Sequence, residues 1–363
     1  MMAYKVKRSY QMTKSKILFV FYLPSGGMET LNRQRCKALQ KYGIECHLLY
    51  LQNGTGMQNI SSIPTYVTNA DAEIKNILSK NFDAIFVSSD MYMLKRFRDL
   101  GYKGKLLYEV QGLGSVKTAE KILTQAIPFV VNYSNGILYP KTSHLMRIID
   151  TLYPSTPKYC FHNCFDSKEF GYRSITRTPY PIIGWIGRLE LNKNWDEYLM
   201  FAMRFIKQKP NAKFWMFIDD TLGNHHEKAR FNKLLTRYKL TNSVVVHANI
   251  PHKQMADNLS IIGDSGGFLL STSKVEGFGY AVVEAMSCKC PVLTSDSDGV
   301  KAFITHNVTG KFYMNENIGS AVTQGIELID NLELRNSIIK HALNHLSLFD
   351  LDTYANEFIK ILN

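Results

Sequence analysis

The chain is predicted to be an α/β protein of two domains, each built on a parallel sheet. Short apolar runs alternate with helical stretches from residue 16 to the end, the pattern of parallel strands joined by crossover helices. Its 363 residues exceed one ordinary core and suit two of roughly 150 to 180 residues each. Between the halves, Gly171 to Pro181 carries Arg173, Arg177, Pro179 and Pro181, a composition suited to a linker. The expected boundaries are therefore 1–170 for the first domain, 171–181 for the linker, 182–346 for the second domain and 347–363 for a final helix.

Taken in order, Lys16-Ile-Leu-Phe-Val-Phe-Tyr-Leu-Pro24 reads as a buried strand, and Ser25-Gly-Gly-Met-Glu29 opens a helix. Strands are expected at 16–23, 45–51, 83–88, 105–111, 129–132 and 159–163, with helices near 28–42, 71–80, 91–100, 117–126 and 140–150. After the linker, strands are expected at 182–187, 213–219, 243–248, 267–271 and 291–295. Helices follow at 195–208, 227–238, 252–261, 280–288, 318–329 and 332–346. The stretch from Leu351 to Leu362 sets Tyr354, Phe358, Ile359 and Ile361 on one more helix. There are no internal repeats and no low-complexity segments.

A hydrophobic content of 45% with 20% charged residues is that of a soluble globular protein. No apolar run approaches the eighteen residues that a membrane span needs. Lys5, Lys7, Arg8, Lys14 and Lys16 precede Ile17 to Leu23 and imitate a secretion signal. That apolar stretch is short and leads to Pro24 and a Gly-Gly pair, so a first strand and a cytoplasmic location are expected. The six cysteines then read as reduced thiols. Cys160-Phe-His162-Asn-Cys164 has no second ligand pair at metal spacing, and Asp296-Ser-Asp298 follows a strand as a turn would, so no metal is expected. Thr309-Gly-Lys-Phe312 lacks the flanking residues of a Walker loop, and Gly112-Leu-Gly114 lacks the third glycine of a dinucleotide fingerprint.

Charge is uneven. Residues 1–170 hold 22 Lys and Arg against 12 Asp and Glu, a net of +10 out of the chain's +12. Arg33, Lys37 and Lys41 recur at i, i+4 and i+8 on the first helix, opposite Leu31, Ala38 and Leu39, while Lys95, Arg96, Arg98, Lys103 and Lys105 form a second cluster. Two readings stay open for this surface: a solvated face, or contact with an anionic partner, with a membrane's inner face ahead of nucleic acid because no nucleic-acid-binding module is present.

The chemistry is concentrated in Lys274-Val-Glu-Gly-Phe-Gly-Tyr-Ala-Val-Val-Glu284, with Glu276 and Glu284 eight positions apart. An apolar strand ending in Ser271-Thr-Ser273, a glycine turn and a helix start together make an anion site, because the first amides of a helix and its dipole favour negative charge. Gly277 and Gly279 let backbone approach a ligand, and the two carboxylates suit hydroxyl-rich groups. A second basic segment, Arg188-Leu-Glu-Leu-Asn-Lys193, follows the strand Ile182-Ile-Gly-Trp-Ile-Gly187, and Arg with Lys is a natural pair for two phosphates.

The glutamate block, running on through Glu-Ala-Met and Pro-Val to Ser-Asp, resembles the E-x7-E signature of the retaining glycosyltransferases of family 4. Arg188 to Lys193, the Gly26-Gly27 turn and Asn163, Asp166 and Phe170 resemble further segments of that family in the same order, so that the resemblance spans roughly residues 16–315. It implies the GT-B fold, two Rossmann-like domains with parallel sheets facing each other across a cleft, and a last helix that crosses back to the first domain. It implies a donor site of Gly26, Gly27, Arg188, Lys193, Glu276, Gly277, Phe278, Gly279, Tyr280, Ala281 and Glu284, with Glu276 at the donor sugar, Glu284 at the ribose, and Arg188 and Lys193 on the diphosphate. Asn194 replaces the Gly that usually follows the Lys, and Cys164 replaces a Gly. Gln111 stands where a His near the sugar is common. It cannot titrate, and in this fold the leaving phosphate serves as base, so Gln111 is grouped with Glu276, Arg188 and Lys193 as a catalytic candidate.

The implied activity is metal-independent, retaining transfer of a hexose-type sugar from a nucleotide diphosphate sugar, UDP by default. The donor is a co-substrate and no resident cofactor is expected. The acceptor is a hydroxyl on a saccharide, a lipid-linked saccharide or a small molecule. Two alternatives remain: a catalytically silent subunit of this fold that binds a glycan or a partner enzyme, and a nucleotide-sugar epimerase.

Overall fold

The computed structural model describes residues 15–175, 177–221, 225–314 and 316–362. Lys5, Lys7, Arg8 and Lys14 lie outside the described residues. The strands β1 (Lys16–Phe21), β2 (Glu45–Tyr50), β3 (Thr65–Val67), β4 (Ala84–Ser88), β5 (Lys105–Glu109), β6 (Ile137–Tyr139) and β7 (Lys158–Cys160) form one sheet in the order β3-β2-β1-β4-β5-β6-β7. A second sheet runs β10-β9-β8-β11-β12-β13, from β8 (Ile182–Ile186), β9 (Lys213–Ile218), β10 (Val244–Ala248), β11 (Phe268–Ser271), β12 (Val292–Ser295) and β13 (Lys311–Tyr313). Every pairing within both sheets is parallel.

Helices connect the strands: α1 (Gly26–Gln40), α2 (Asp71–Leu78), α3 (Met91–Asp99), α4 (Val116–Tyr133) and α5 (Ser143–Leu152) belong to the first sheet. The second sheet carries α6 (Trp195–Phe205), α7 (His225–Arg237), α8 (His252–Asp264), α9 (Tyr280–Ser287), α10 (Ile318–Asp330) and α11 (Leu332–His345), and α12 (Leu351–Leu362) ends the chain. Strand periodicity divides the first core: Ile17 and Phe19 of β1 face α1 and α12, while Leu18 and Val20 face α2, α3 and α4. Phe358 of α12 lies 4.7 Å from Phe86 and 5.7 Å from Phe19 between ring centroids, so the last helix completes the first domain. The same apolar cluster runs on through Tyr354 and Phe349 to Phe278 and Tyr280, joining both domains. In the connecting segment, Arg173 is fixed to α8, its amide donating to Ser260 and its guanidinium to Asp257 at 3.0 Å.

The sequence reading errs in four places. Residues 129–132 are not a strand, because α4 continues through Pro128 to Tyr133. The run Phe-Val-Val after a proline looks like β structure. Yet Ala119, Leu123, Ala126 and Val130 keep helical spacing into the core, and Pro128 turns its ring outward. Three-residue strands at β3, β6 and β13 were unexpected, since so short a run carries no periodicity.

Strand order reverses between β1 and β4 in the first sheet and between β8 and β11 in the second. Loops leaving the carboxyl ends of strands at such a reversal diverge and leave a crevice. The glycine turn at Gly26, the Arg188–Lys193 segment and the Glu276–Gly279 turn all leave these strands, from β1, β8 and β11.

Candidate active site

Lys193 and Glu276 form the centre, with Nζ 2.6 Å from Oε1 and both side chains largely buried. The two loops that carry them are tied together by backbone. Lys274 N donates to Asn192 O at 2.8 Å, Asn192 Nδ2 to Val275 O at 3.0 Å, and Thr272 Oγ1 to Lys193 O at 2.8 Å. Trp185 on β8 donates its indole N–H to Thr272 Oγ1 at 2.9 Å, so the core of the second domain fixes the whole arrangement. Asn194 adopts the left-handed conformation at φ 51°, which Asn tolerates better than other non-glycine residues. Its side-chain amide donates to Glu197, whose carboxyl is pushed up by burial.

Gly279 begins α9 at φ 86°, a left-handed conformation that favours glycine. Tyr280 is buried, burial pushes its hydroxyl well above the usual phenol range, and it donates to Cys164 O in the first domain at 2.9 Å. Phe278 is buried beside it, with the rings 4.9 Å apart, and Ala281 is half-buried. From the first domain, Gly26 takes φ 55°, and a Cβ on Gly27 would stand 3.2 Å from the Tyr280 ring. The two glycine turns therefore meet. Closer still, a Cβ on Gly277 would come within 2.6 Å of the Gly112 Cα, so backbone touches backbone across the crevice.

Glu284 is buried one helical turn on, and its Oε1 lies 2.8 Å from His252 Nε2. His252 was missed by the sequence reading, whose only signal was a helix starting there after a strand. Its Nδ1 lies 3.1 Å from Arg33 Nη2 of the first domain, and its backbone amide donates to Asn59 Oδ1 at 3.2 Å. Arg188 is not brought to the centre. Its guanidinium lies on the surface, 3.1 Å from Glu190.

Two expectations change. Gln111 does not present a spare amide: Nε2 donates to Glu109 and Asn163, each at 3.1 Å, and Oε1 accepts from Asn163 Nδ2 at 2.9 Å. Beneath it Glu109 is fully buried against Arg35 at 2.6 Å, with the guanidinium 3.6 Å over the Phe19 ring. Arg33, Lys37 and Lys41 do not form an open basic stripe either. Arg33 turns inward to Glu29 and His252, Lys37 pairs with Asp166 and Glu169, and Lys41 lies 3.6 Å from Asp352. Lys95 and Arg96 are paired with Asp99 and Asp71, and Arg98 donates to backbone carbonyls. The aligned stripe on α1 therefore does not support the membrane reading, although the net +10 of residues 1–170 stands. Among the described residues no helix is long and apolar enough to cross a membrane.

Two sheets of this topology, joined across a crevice and stapled by a last helix, define the GT-B architecture. The structure of Alr3699/HepE from Anabaena in complex with UDP and glucose superposes with a TM-score of 0.80 at 16% identity, over 96% of this chain and 99% of that one. Residues 171–345 match the family described as glycosyl transferases group 1. Among curated proteins, the chain is 30% identical over 141 residues to the poly(glycerol-phosphate) alpha-glucosyltransferase of Bacillus subtilis (strain 168), covering 38% of the chain and 19% of that protein. It is 27% identical over 331 residues to the poly(ribitol-phosphate) alpha-N-acetylglucosaminyltransferase of Staphylococcus aureus (strain COL), covering 84% of the chain and 62% of that protein. The chain thus spans less than two thirds of the length of either relative.

Proposed function

We propose that the protein is a retaining glycosyltransferase that moves a hexose-type sugar from a nucleotide diphosphate, UDP by default, to an acceptor hydroxyl. The Lys193–Glu276 pair at 2.6 Å carries the reading, because it sets a cation and a carboxylate where glycine turns from both domains converge. In the bound donor, Lys193 moves from Glu276 to the diphosphate, and Arg188 leaves Glu190 to join it. Preorganised cations at a departing phosphate commonly contribute the largest share of such catalysis. Glu276, released, holds a sugar hydroxyl and stabilises positive charge at the anomeric carbon, while the turn from Gly277 to Ala281 supplies amides and Glu284 takes the ribose. The bond from the anomeric carbon to the phosphate oxygen breaks, the acceptor oxygen bonds that carbon from the same face, and the leaving phosphate takes the acceptor's proton. No side chain titrates in this scheme, which fits the engaged amide of Gln111. Domain closure excludes water.

The acceptor we propose is a polyol phosphate polymer or a related anionic glycan. Both relatives are named for such polymers and for alpha transfer. The first 170 residues carry a net +10, and Lys117 and Lys121 are exposed on α4, just after the Gln111–Gly112 turn. A groove of about 490 Å3 on the first domain offers the aromatic faces of Tyr22, Tyr92 and Phe129 to sugar rings, while Asp71, Asp90 and Asp99 balance Lys95 and Arg96 around it, so the anionic part of the acceptor belongs elsewhere on this domain.

Thermal unfolding with UDP-glucose, UDP-N-acetylglucosamine, GDP-mannose and ADP-glucose identifies the donor, since a ligand of the folded state raises the melting temperature. Lys193→Ala and Glu276→Ala are each expected to lower turnover by about a hundredfold or more while the protein stays folded. Transfer at wild-type rates by both variants contradicts the proposal.

A further inference from the structure

We infer that His252 is a positioning residue for Glu284, working as the neutral imidazole with its proton on Nε2, and that Arg33 of the opposite domain dictates that form. The inference rests on the reading of Glu284 as the ribose carboxylate. An Arg guanidinium can only donate, so Arg33 Nη2 at 3.1 Å makes His252 Nδ1 the acceptor. The ring's single proton then sits on Nε2 and is donated to Glu284 Oε1 at 2.8 Å. Arg33 is itself fixed by Glu29, with Nε 2.8 Å from Oε1, and Glu29 is buried. The ring packs on Phe170 at 4.6 Å between centroids, and the His252 amide is held by Asn59. One carboxylate oxygen is thereby pinned and the other, Oε2, is aimed for a hydroxyl.

The relay crosses the domains: Glu29, Arg33 and Asn59 come from the first, His252 and Glu284 from the second. Glu284 is therefore set only when the domains are closed, which ties donor affinity to closure. The charged groups facing the imidazole are Glu284 from α9 and Arg33 and Glu29 from α1. Protonating Nδ1 turns an acceptor into a donor facing a donor, which breaks the Arg33 link whatever the carboxylates gain. Gln is the informative replacement, because its amide N–H can replace Nε2–H while its carbonyl accepts from Arg33.

Calorimetric titration of UDP into the full chain tests this with wild type, Glu284→Ala, His252→Phe, His252→Gln and Arg33→Met. Hydrogen bonds to a charged group give an expected loss of about tenfold in UDP affinity for Glu284→Ala and His252→Phe. His252→Gln should stay within about threefold of wild type, and Arg33→Met should fall between. Turnover at saturating donor should change far less than KM for the donor in His252→Phe, a split that simple misfolding does not give. Weakened binding in Glu284→Ala with wild-type binding in His252→Phe overturns the positioning role alone. Wild-type affinity in Glu284→Ala overturns the ribose reading, and this inference with it. If His252→Phe fails to fold, a loss of UDP affinity in His252→Gln as large as that in Glu284→Ala overturns it equally.

Discussion

Gln111 and Asn163 clasp each other through both amide groups above the buried Glu109–Arg35 pair. Gln111→Ala removes two hydrogen bonds from Asn163 and one from Glu109. It is expected to cost about 1–3 kcal/mol in urea unfolding, with donor KM little changed, whereas a direct sugar ligand would show chiefly in KM. Lys37 gives a pH-dependent case. Burial alone would raise Asp166, but hydrogen bonds from Lys37 and the Glu169 and Lys168 amides outweigh it and hold the carboxyl below its ordinary 3.8. A carboxylate depressed in the folded state stabilises it above the unfolded value, and that contribution fades as pH falls through the folded one. Lys37 is half-exposed, so Lys37→Met should cost only about 0.5–1 kcal/mol at pH 7. In paired urea titrations the difference from wild type should shrink at pH 3 and below. The helical spacing of Arg33, Lys37 and Lys41 was legible in the sequence. Their partners were not, because Asp166, Glu169, His252 and Asp352 come from distant segments that no periodicity links to α1.

The glycine turns were readable as elements because strand, glycine and helix start follow one another in a single segment. Which turn faces which was not readable, since Gly112 and Gly277 meet only through the packing of two domains. Gly277→Ala places a methyl 2.6 Å from the Gly112 Cα and must wedge the crevice apart. A large loss of turnover is expected, with the melting temperature within a few degrees of wild type, because the clash lies between domains rather than within a core. In α4, Pro128 sits inside a helix that buries Ala126 and Val130 on either side of it. Pro is about 3 kcal/mol worse than Ala in a helix interior, so Pro128→Ala should raise the urea midpoint, less whatever entropy the proline removes from the unfolded chain. An unchanged or lower midpoint would show that the helix gains nothing from the restored amide.

At the scale of the molecule, two parallel sheets were predictable because buried strands read as continuous apolar runs between amphipathic helices. The last helix was predictable as a helix from Tyr354, Phe358 and Ile361, but its seat against Phe19 and Phe86 is a tertiary fact. It makes α12 the element that joins the first domain to the cluster around Phe349, Phe278 and Tyr280. The crevice is thus framed by a core common to both halves, and Lys193, Glu276 and Glu284 are presented to it from the second. The central claim is that this crevice binds a nucleotide diphosphate and transfers its sugar. Incubation of the protein with UDP-glucose or UDP-N-acetylglucosamine and a poly(glycerol phosphate) or poly(ribitol phosphate) acceptor, followed by proton NMR of the polymer, tests it most directly. The account predicts a new anomeric signal with the small coupling of an alpha linkage, dependent on acceptor and lost in Lys193→Ala. A beta linkage would contradict retention, and conversion of the donor without acceptor, or no reaction with either donor and no UDP binding, would contradict the claim itself.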